Sequence, residues 1–387
     1  MFQTQSSQAI LEHKAFLIAL LSLSGVGAKT VLRILDVCRQ KQLSEAEFWV
    51  NRYHIWQEML LKEKTIESIK KFKKEHNLLD NLLNIENSGI QVLTFEEAAY
   101  PPLLANIEDF PVALFIKSQV KVGSQIWQQM FESTLSVVGT RRMTTYGRLA
   151  INRLIPGWVR AGQTIVSGFM YGVDLFAAQV ALASQGKTIA VLGYGLDHCF
   201  PLSQQKMMQQ FLEQKAIFLS EFVPQTPPRA ANFVTRNRIV AALSKATLII
   251  EAAVRSGSHI TASYAADYGR LVLAVPGPIT NPFSEGTKAL VNQGAILVNN
   301  AQDVLQEIST DYHWQNQITA EKSVKTNQLS NANTQLLLDQ LGVYPDLSFE
   351  ALQQSTKLDP AQLNQLLFEL ELQGKIIKKW GKYCLIS

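Results

Sequence analysis

The feature that most constrains the fold of this chain is a regular alternation of short apolar segments with longer amphipathic segments over residues 133–305. The apolar segments lack polar positions at every second residue, as expected of strands buried on both faces of a parallel sheet. The predicted strands are Leu135–Val138, Thr164–Ser167, Thr188–Leu192, Ile217–Ser220, Thr247–Ile250, Leu271–Val275 and Ile296–Val298. The predicted helices between them are Leu175–Ser184, Gln204–Gln214, Thr235–Leu243, Ile260–Tyr268 and Glu285–Gln293. This order predicts a doubly wound, mostly parallel α/β sheet of the Rossmann-like class.

The flanking segments predict two further domains. Residues 1–88 have helical spacing and are predicted to form an N-terminal helical domain of the SAM or helix–hairpin–helix type, with a turn at 24–27 that either packs internally or contacts phosphate. An extended Rossmann-like domain is predicted over 89–308. Residues 309–333 are polar and are predicted to be a linker. Residues 334–387 predict three helices and a hairpin, which resembles a winged helix.

Composition and charge exclude several classes of protein. The chain is 47% hydrophobic and 18% charged, as soluble globular proteins are, and no apolar run approaches the length of a membrane span. Three scattered cysteines match no metal-ligand spacing and indicate free thiols, so a cytoplasmic location without a signal peptide is expected. Residues 120–308 contain 16 Lys and Arg against 10 Asp and Glu, whereas residues 334–387 have a net charge of −1. Charge therefore favours an anionic ligand of the central domain.

Small residues follow nearly every predicted strand. Gly139–Thr140–Arg141 follows the first, Ser167–Gly168 the second and Gly193 the third, and Ser256–Gly257–Ser258 and Pro276–Gly277 follow later ones. Backbone N–H groups at such turns and at helix N-termini bind phosphate, and an arginine adds a forked contact. Ordinary turn chemistry explains about half of these glycines. Their convergence with arginines favours a polyanionic ligand.

A second cationic group lies at residues 229–238. Phe233 is predicted to be exposed in a loop, where an aromatic ring beside arginines can stack on a base; burial in the core is the alternative. Arg236 and Arg238 point in different directions on a helix. We expect Arg236 to contact the ligand, whereas Arg238 could form a structural ion pair with Glu251.

A series of short sequence motifs, in a fixed order along the chain, includes these glycines and arginines. They are Val138–Gly139–Thr140–Arg141 with Tyr146–Gly147, Ser167–Gly168 with Gly172–Val173–Asp174, Thr188–Gly193, Phe233 with Arg236–Asn237–Arg238–Ile239, Glu251–Ala252 with Ser256–Gly257–Ser258 and Ile260–Thr261–Ala262, and Val275–Pro276–Gly277. Together they resemble the bacterial DNA-processing protein A family (DprA, also called Smf) over residues 90–305. In place of a run that carries a cation in that family, this chain has Phe169–Met170–Tyr171, and Pro156 is expected to kink or end a helix.

The resemblance implies a homodimeric single-stranded DNA-binding protein that protects incoming DNA and loads the recombinase RecA during natural transformation. It places a phosphate-binding arginine at Arg141 and a base-contacting aromatic at Phe233. No catalytic residue, metal or cofactor is predicted. The predicted DNA-binding residues are Gly139, Thr140, Arg141, Ser167, Gly168, Gly193, Arg229, Asn232, Phe233, Arg236, Asn237, Arg238, Ser256, Gly257, Ser258, Thr261, Pro276, Gly277 and Lys288.

Two alternatives remain open from sequence. A Rossmann-like nucleotide-processing hydrolase would need a catalytic glutamate, for which Glu251 is the candidate, and His259 could serve as a general base. A DNA-binding regulator would instead use the winged helix, although the net negative charge of that segment argues against strong DNA binding.

Overall fold

The computed structural model describes residues 7–50, 56, 61–308, 328–343, 347–372, 375–379 and 382–385. It divides into two compact units, residues 1–310 and 311–387. The described part of the first unit begins with helices and continues into a nine-stranded sheet with helices on both faces. Among the described residues, no helix combines the length and apolar character needed to cross a bilayer.

The helices that precede the sheet have an aromatic core of their own. They are α1 (Ser7–Leu21), α2 (Ala28–Gln40), α3 (Glu45–Trp49), α4 (Glu63–Glu75) and α5 (Leu78–Asn87). Phe16 of α1 meets Phe48 and Trp49 edge to face, with ring centroids 5.6 and 6.0 Å apart. The other face of α1 carries Ala15 and Ile18, which belong to the core of the sheet. Helix α1 is therefore shared between both cores.

The sheet confirms the predicted mostly parallel α/β architecture. Its strands are β1 (Gln91–Thr94), β2 (Ala113–Lys117), β3 (Thr134–Val138), β4 (Thr164–Ser167), β5 (Thr188–Leu192), β6 (Ile217–Ser220), β7 (Ala246–Ile249), β8 (Leu271–Ala274) and β9 (Ile296–Leu297). They lie in the order β1-β2-β6-β5-β4-β3-β7-β8-β9. Strands β3 to β9 are parallel, and β1 and β2 add an antiparallel edge. The chain reverses direction across the sheet at β3, so the loops after β3, β4 and β7 meet there.

The predicted connecting helices are present, and most of their ends lie within two residues of the prediction. The connecting helices are α6 (Pro102–Ala105), α7 (Gln125–Glu132), α8 (Thr145–Arg160), α9 (Val173–Ala183), α10 (Gln205–Glu213), α11 (Ala230–Ala242), α12 (Gly257–Asp267), α13 (Ser284–Asn292) and α14 (Ala301–Ile308). Of these, α11 and α12 begin earlier than predicted. Helix α8 continues through Pro156 to Arg160, so the expected early end is wrong, and the alternative of a kink at Pro156 stays a prediction. Helix α11 begins five residues before the predicted Thr235, because its first turn, which follows Pro227 and Pro228, was predicted to be loop.

The described residues of the second unit contain the three helices and the hairpin predicted from its sequence. Its elements are α15 (Gln328–Val343), β10 (Leu347–Ser348), α16 (Phe349–Thr356), α17 (Pro360–Leu372), β11 (Ile376–Lys379) and β12 (Lys382–Leu385), with strand order β10-β12-β11. Ser348 caps α16 by accepting from the Ala351 amide at 3.3 Å. Helix α15 begins at Gln328, so residues 328–333 of the predicted linker are helical. Residues 309–327 of that linker lie outside the described residues.

Candidate functional site: a cavity at the strand exits

The loops after five parallel strands enclose one cavity of about 520 Å³. We call it the strand-exit cavity. Its lining comprises Val138, Gly139, Thr140, Arg141, Gly168, Met170, Tyr171, Asp174, Phe200, Pro228, Ala230, Phe233, Val234, Arg236, Asn237, Val240, Ser256, Gly257, Ser258 and Thr261. The loops after β3, β4 and β7 contribute most of the polar groups, and helix α11 adds Phe233, Arg236 and Asn237. The cavity lies at the carboxyl ends of the strands, where open α/β sheets bind their ligands.

Arg141 and Arg236, which the sequence singled out, lie on this same cavity but differ in exposure. Arg141 is exposed, and it forms no ion pair with the residues that the structure describes. Arg236 is only 3% exposed. Its Nη1 atom donates to the Gly168 carbonyl oxygen at 2.8 Å and to that of Val191. Arg141 is therefore available to a ligand, whereas the hydrogen bonds of Arg236 hold its side chain in place and connect the loop after β4 to strand β5.

Asp174 occupies the amide groups that the sequence assigned to phosphate. Its Oδ2 atom accepts from the Gly168 amide at 3.1 Å, and its carboxyl also accepts from the Gly139 amide. A Cβ atom on Gly168 would lie 2.5 Å from Asp174 Oδ2 and 2.6 Å from Arg236 Nη2, so only glycine leaves room for both side chains. Burial raises the pKa of Asp174 to about 6, against the opposing charges of Arg236 and Arg141. An internal carboxylate thus takes the place predicted for an external anion.

The N-terminus of α12 remains a candidate anion site within the cavity. Ser256 precedes the helix but makes no side-chain cap, and its hydroxyl instead contacts Ser258 Oγ at 2.7 Å. Asn237 Nδ2 donates to the Gly257 carbonyl oxygen at 3.3 Å, which connects α11 to this turn. The first amides of an eleven-residue helix carry the positive end of its dipole. Arg141 and the first amides of α12 are therefore the groups in these loops best suited to bind an anion.

Aromatic rings line the part of the cavity next to β5. Phe233 lies on the first turn of α11 and is half-buried, so the predicted exposed loop position is wrong. Its ring centroid is 5.8 Å from that of Phe200 and 6.1 Å from that of Tyr194. Phe200 and Tyr171 also line the cavity, at 40% and 45% exposure. Neither Phe200 nor Tyr171 was among the predicted site residues. For Phe200 the sequence did offer a signal, since it is an aromatic residue directly before Pro201 in a strand-exit loop.

Eight of the predicted residues do not line the cavity: Ser167, Gly193, Arg229, Asn232, Arg238, Pro276, Gly277 and Lys288. Two of them are bonded within the fold, which corrects their assignment to the ligand. The Ser167 hydroxyl donates to the Val137 carbonyl oxygen at 2.7 Å, and buried Arg238 pairs with Glu221 and, at 3.5 Å, with Asp109. Gly193 packs against Phe233. For exposed Arg229 and Lys288 a DNA contact stays a prediction.

Glu251 is structural in its contacts, and its expected pairing with Arg238 is wrong. The side chain is 2% exposed and does not line the cavity. Its carboxylate accepts from the Thr144 amide at 2.9 Å, from the Thr144 hydroxyl at 2.5 Å and from Asn281 Nδ2 at 2.8 Å. It therefore joins the start of α8 to the loop after β8. Within the described residues, no cluster of three or more His, Cys, Asp or Glu could hold a metal ion.

Comparison with known proteins matches both units of the chain. The family described as DNA recombination-mediator protein A matches residues 91–309, and the DprA winged helix domain matches residues 321–381. Protein Smf of Escherichia coli K12 is 38% identical over 230 residues, which cover 59% of this chain and 60% of that protein. DNA processing protein DprA of Bacillus subtilis 168 is 33% identical over 220 residues, covering 57% of this chain and 72% of the relative.

Two solved structures of DprA proteins also resemble this chain. The crystal structure of DprA from Streptococcus pneumoniae superposes with a TM-score of 0.64 at 29% identity and covers 77% of this chain and 99% of its own. DprA from Helicobacter pylori, whose structure describes a single-stranded DNA binding mode, gives 0.50 at 29% identity and covers 58% of this chain and 98% of its own. The family match extends over more than half of the sequence and includes every loop of the strand-exit cavity. The chain therefore belongs to the DNA recombination-mediator protein A family.

Proposed function

We propose that this chain binds single-stranded DNA in the strand-exit cavity and acts as a recombination mediator. The observation that carries the proposal is the meeting, in one cavity, of an exposed guanidinium at Arg141 with the rings of Phe233 and Phe200. A nucleotide needs both surfaces, because its phosphate binds a cation and its base stacks on an aromatic face. The Helicobacter pylori relative, described for its single-stranded DNA binding, supports this ligand class.

The charges around the cavity also suit a strand of DNA. Exposed arginines stand in or directly beside its lining loops at Arg141, Arg142, Arg229 and Arg255. Arg142 and Arg255 were not among the sequence-predicted site residues. Because a strand carries one phosphate per nucleotide, cations around a cavity allow several phosphates to be contacted while one base enters it. The strand would then follow the edge of the sheet.

Replacing Arg141 tests the site. Arg141→Ala should weaken binding of a labelled oligo-dT about tenfold and reduce the slope of log affinity against log salt by about 0.7, the value for one phosphate contact on a single strand. Fluorescence anisotropy at a series of salt concentrations measures both quantities. The matched control is Arg160→Ala, which removes an exposed arginine at the far end of α8. Equal affinity and slope for Arg141→Ala and the wild type would contradict the proposed site.

The mediator role has two further parts, loading of RecA and homodimerisation. We infer both from the family to which the chain belongs. Loading predicts that the chain accelerates RecA filament formation on a strand already covered by single-strand-binding protein, and that Arg141→Ala does not. Sedimentation velocity of the full chain tests the dimer. A chain that binds DNA as a monomer and leaves RecA filament growth unchanged would retain the binding proposal and lose the mediator role.

We further propose that the chain binds without catalysing a reaction on its ligand. The alternative hydrolase needed Glu251 as its catalytic group, and the contacts of that carboxylate with Thr144 and Asn281 favour a structural role. Incubation with AMP and with oligo-dT should leave both intact when the products are separated by chromatography. Release of adenine that is lost in Glu251→Gln would overturn this part of the proposal.

A further inference from the structure

The aromatic side chains beside β5 form a wall that extends beyond Phe233. Tyr171 lies in the loop after β4, and Phe200 lies in the loop after β5, the next strand in the sheet. The Tyr171 phenol shares a hydrogen bond with Ser203 Oγ, on the short helical turn that follows Phe200. The Phe200 ring in turn lies against Phe233. Both exposed rings thus line the same cavity, and a hydrogen bond joins Tyr171 to the segment that carries Phe200.

The neighbouring loop connects this wall to the exposed cation. A Cβ atom on Gly172 would lie 2.7 Å from the Arg141 Cα atom, so the backbone beside Tyr171 touches the backbone of Arg141. The cavity therefore has an aromatic part and a cationic part, which lie side by side along the edge of the sheet. Aromatic groups come from the loops after β4 and β5, and the guanidinium and the start of α12 come from the loops after β3 and β7.

The geometry points to Tyr171 and Phe200 as the residues that make the cavity select unpaired bases, an inference that rests on the proposed function. The rings are large, exposed and adjacent to a phosphate-binding group, yet neither carries charge. Their exposed faces can stack only on a base whose own face is free. In a duplex the base faces are covered by neighbouring pairs, and removing a base from the stack costs free energy. Arg141 would bind phosphate in either form of DNA, so the rings supply the discrimination.

The test compares three ligands of equal length: oligo-dT, an abasic strand with the same backbone, and a duplex. Tyr171→Ala and Phe200→Ala should each weaken binding of oligo-dT about 5- to 150-fold, the range measured for loss of one stacked base. Binding of the abasic strand and of the duplex should change less than twofold. The salt dependence should stay that of the wild type, because no phosphate contact is removed.

Two further variants separate stacking from structure. Tyr171→Phe removes the hydrogen bond to Ser203 and keeps the ring, so it should retain wild-type affinity for oligo-dT. Leu202→Ala is the matched control, because Leu202 is 76% exposed, lies between Phe200 and Ser203 and does not line the cavity. Thermal melting of each variant verifies that the fold is kept.

The outcomes distinguish this inference from the proposed function. If the wild type fails to bind oligo-dT, the proposed function fails. If the wild type binds and Tyr171→Ala and Phe200→Ala bind equally well, only the role of the two rings is overturned. It is also overturned if either variant loses affinity for the abasic strand as strongly as for oligo-dT, since the rings would then act by shaping the loops.

Discussion

At the scale of single residues, Asp174 sets the charge of the strand-exit cavity. Burial raises its pKa from the ordinary value of 3.8 to about 6, and the charges of Arg236 and Arg141 oppose this rise. A carboxyl with a raised pKa holds its proton more tightly in the folded state, so its contribution to stability falls as pH rises from about 4 through about 6. Above that range the cavity carries a full negative charge beside Arg141.

This charge predicts pH-dependent binding. Oligo-dT should bind the wild type more tightly below pH 6 than above it, because protonated Asp174 no longer repels phosphate. Asp174→Asn should gain about 1 kcal/mol in affinity at neutral pH, because it removes the repulsion between two like charges in a hydrated site, and should lose most of the pH dependence. Anisotropy titrations over this pH range measure both. The control is His259→Gln, since burial lowers the pKa of that neighbouring histidine; a pH dependence that persists in Asp174→Asn would contradict the assignment.

Gly172 is a second residue whose identity the cavity requires. Its φ of +84° lies in a region that other residues rarely adopt, and an added Cβ atom would lie 2.2 Å from the Thr140 carbonyl oxygen. Gly172→Ala should therefore destabilise the protein by about 3 kcal/mol, from backbone strain and from contact with the Arg141 loop, and should also weaken DNA binding. Chemical unfolding measures the change. Gly162→Ala is the control, because Gly162 has φ +78° but open space at its Cβ position, so a smaller loss is expected.

At the scale of secondary-structure elements, Glu251 aligns helix α8 with the sheet. The carboxylate accepts from both polar groups of Thr144, the residue that caps α8, and from Asn281 in the loop after β8. Glu251→Ala should lower the free energy of unfolding by about 3 kcal/mol, because three donors on half-buried residues lose a charged acceptor. Urea unfolding measures it. Glu285→Ala, which removes an exposed glutamate from α13, should change stability by less than about 0.5 kcal/mol; an equal loss in both variants would refute the role of Glu251.

At the scale of the whole first unit, His13 joins the N-terminal helices to the sheet. Its Nδ1 atom contacts Glu45 of α3, and its Nε2 atom lies 2.8 Å from Glu96, just after β1. Burial lowers the pKa of His13, but hydrogen bonds and attraction from Glu45 and Glu96 outweigh it and raise the pKa to about 10. Protonated His13 therefore stabilises the folded state. This stabilisation is complete below the ordinary pKa of 6.5 and is lost as pH rises through about 10.

His13→Gln should therefore cost on the order of 2 kcal/mol at neutral pH, a value reduced for partial solvent exposure. The wild type should lose stability as pH rises from 6.5 towards 10, and His13→Gln should lose less over the same range. Urea unfolding as a function of pH measures both. Lys14→Gln, which removes the neighbouring pair with Glu97, controls for general weakening of this junction. Parallel pH curves for the wild type and His13→Gln would contradict the assignment.

The sequence by itself determined the class of fold and most of the residues around the cavity. Period and apolar content identify strands β3 to β9 of the sheet to within about one residue, because strands buried on both faces leave a strong pattern. The glycines and arginines of the strand exits were then identified by their positions directly after the predicted strands. The order of the strands then brings Gly139, Gly168 and Ser256 together, since the carboxyl ends of parallel strands share one edge.

Tertiary structure decided which side chains face the ligand. The sequence predicted different roles for Arg236 and Arg238 but not their partners. Arg236 donates to the Gly168 carbonyl oxygen after β4, and Arg238 pairs with Glu221 after β6 instead of the expected Glu251. Asp174 takes amides that the sequence assigned to phosphate, and Tyr171 and Phe200 enter the cavity through long-range packing. Periodicity determines which face of an element is buried. Only the packing of distant segments determines which partner each polar group meets there.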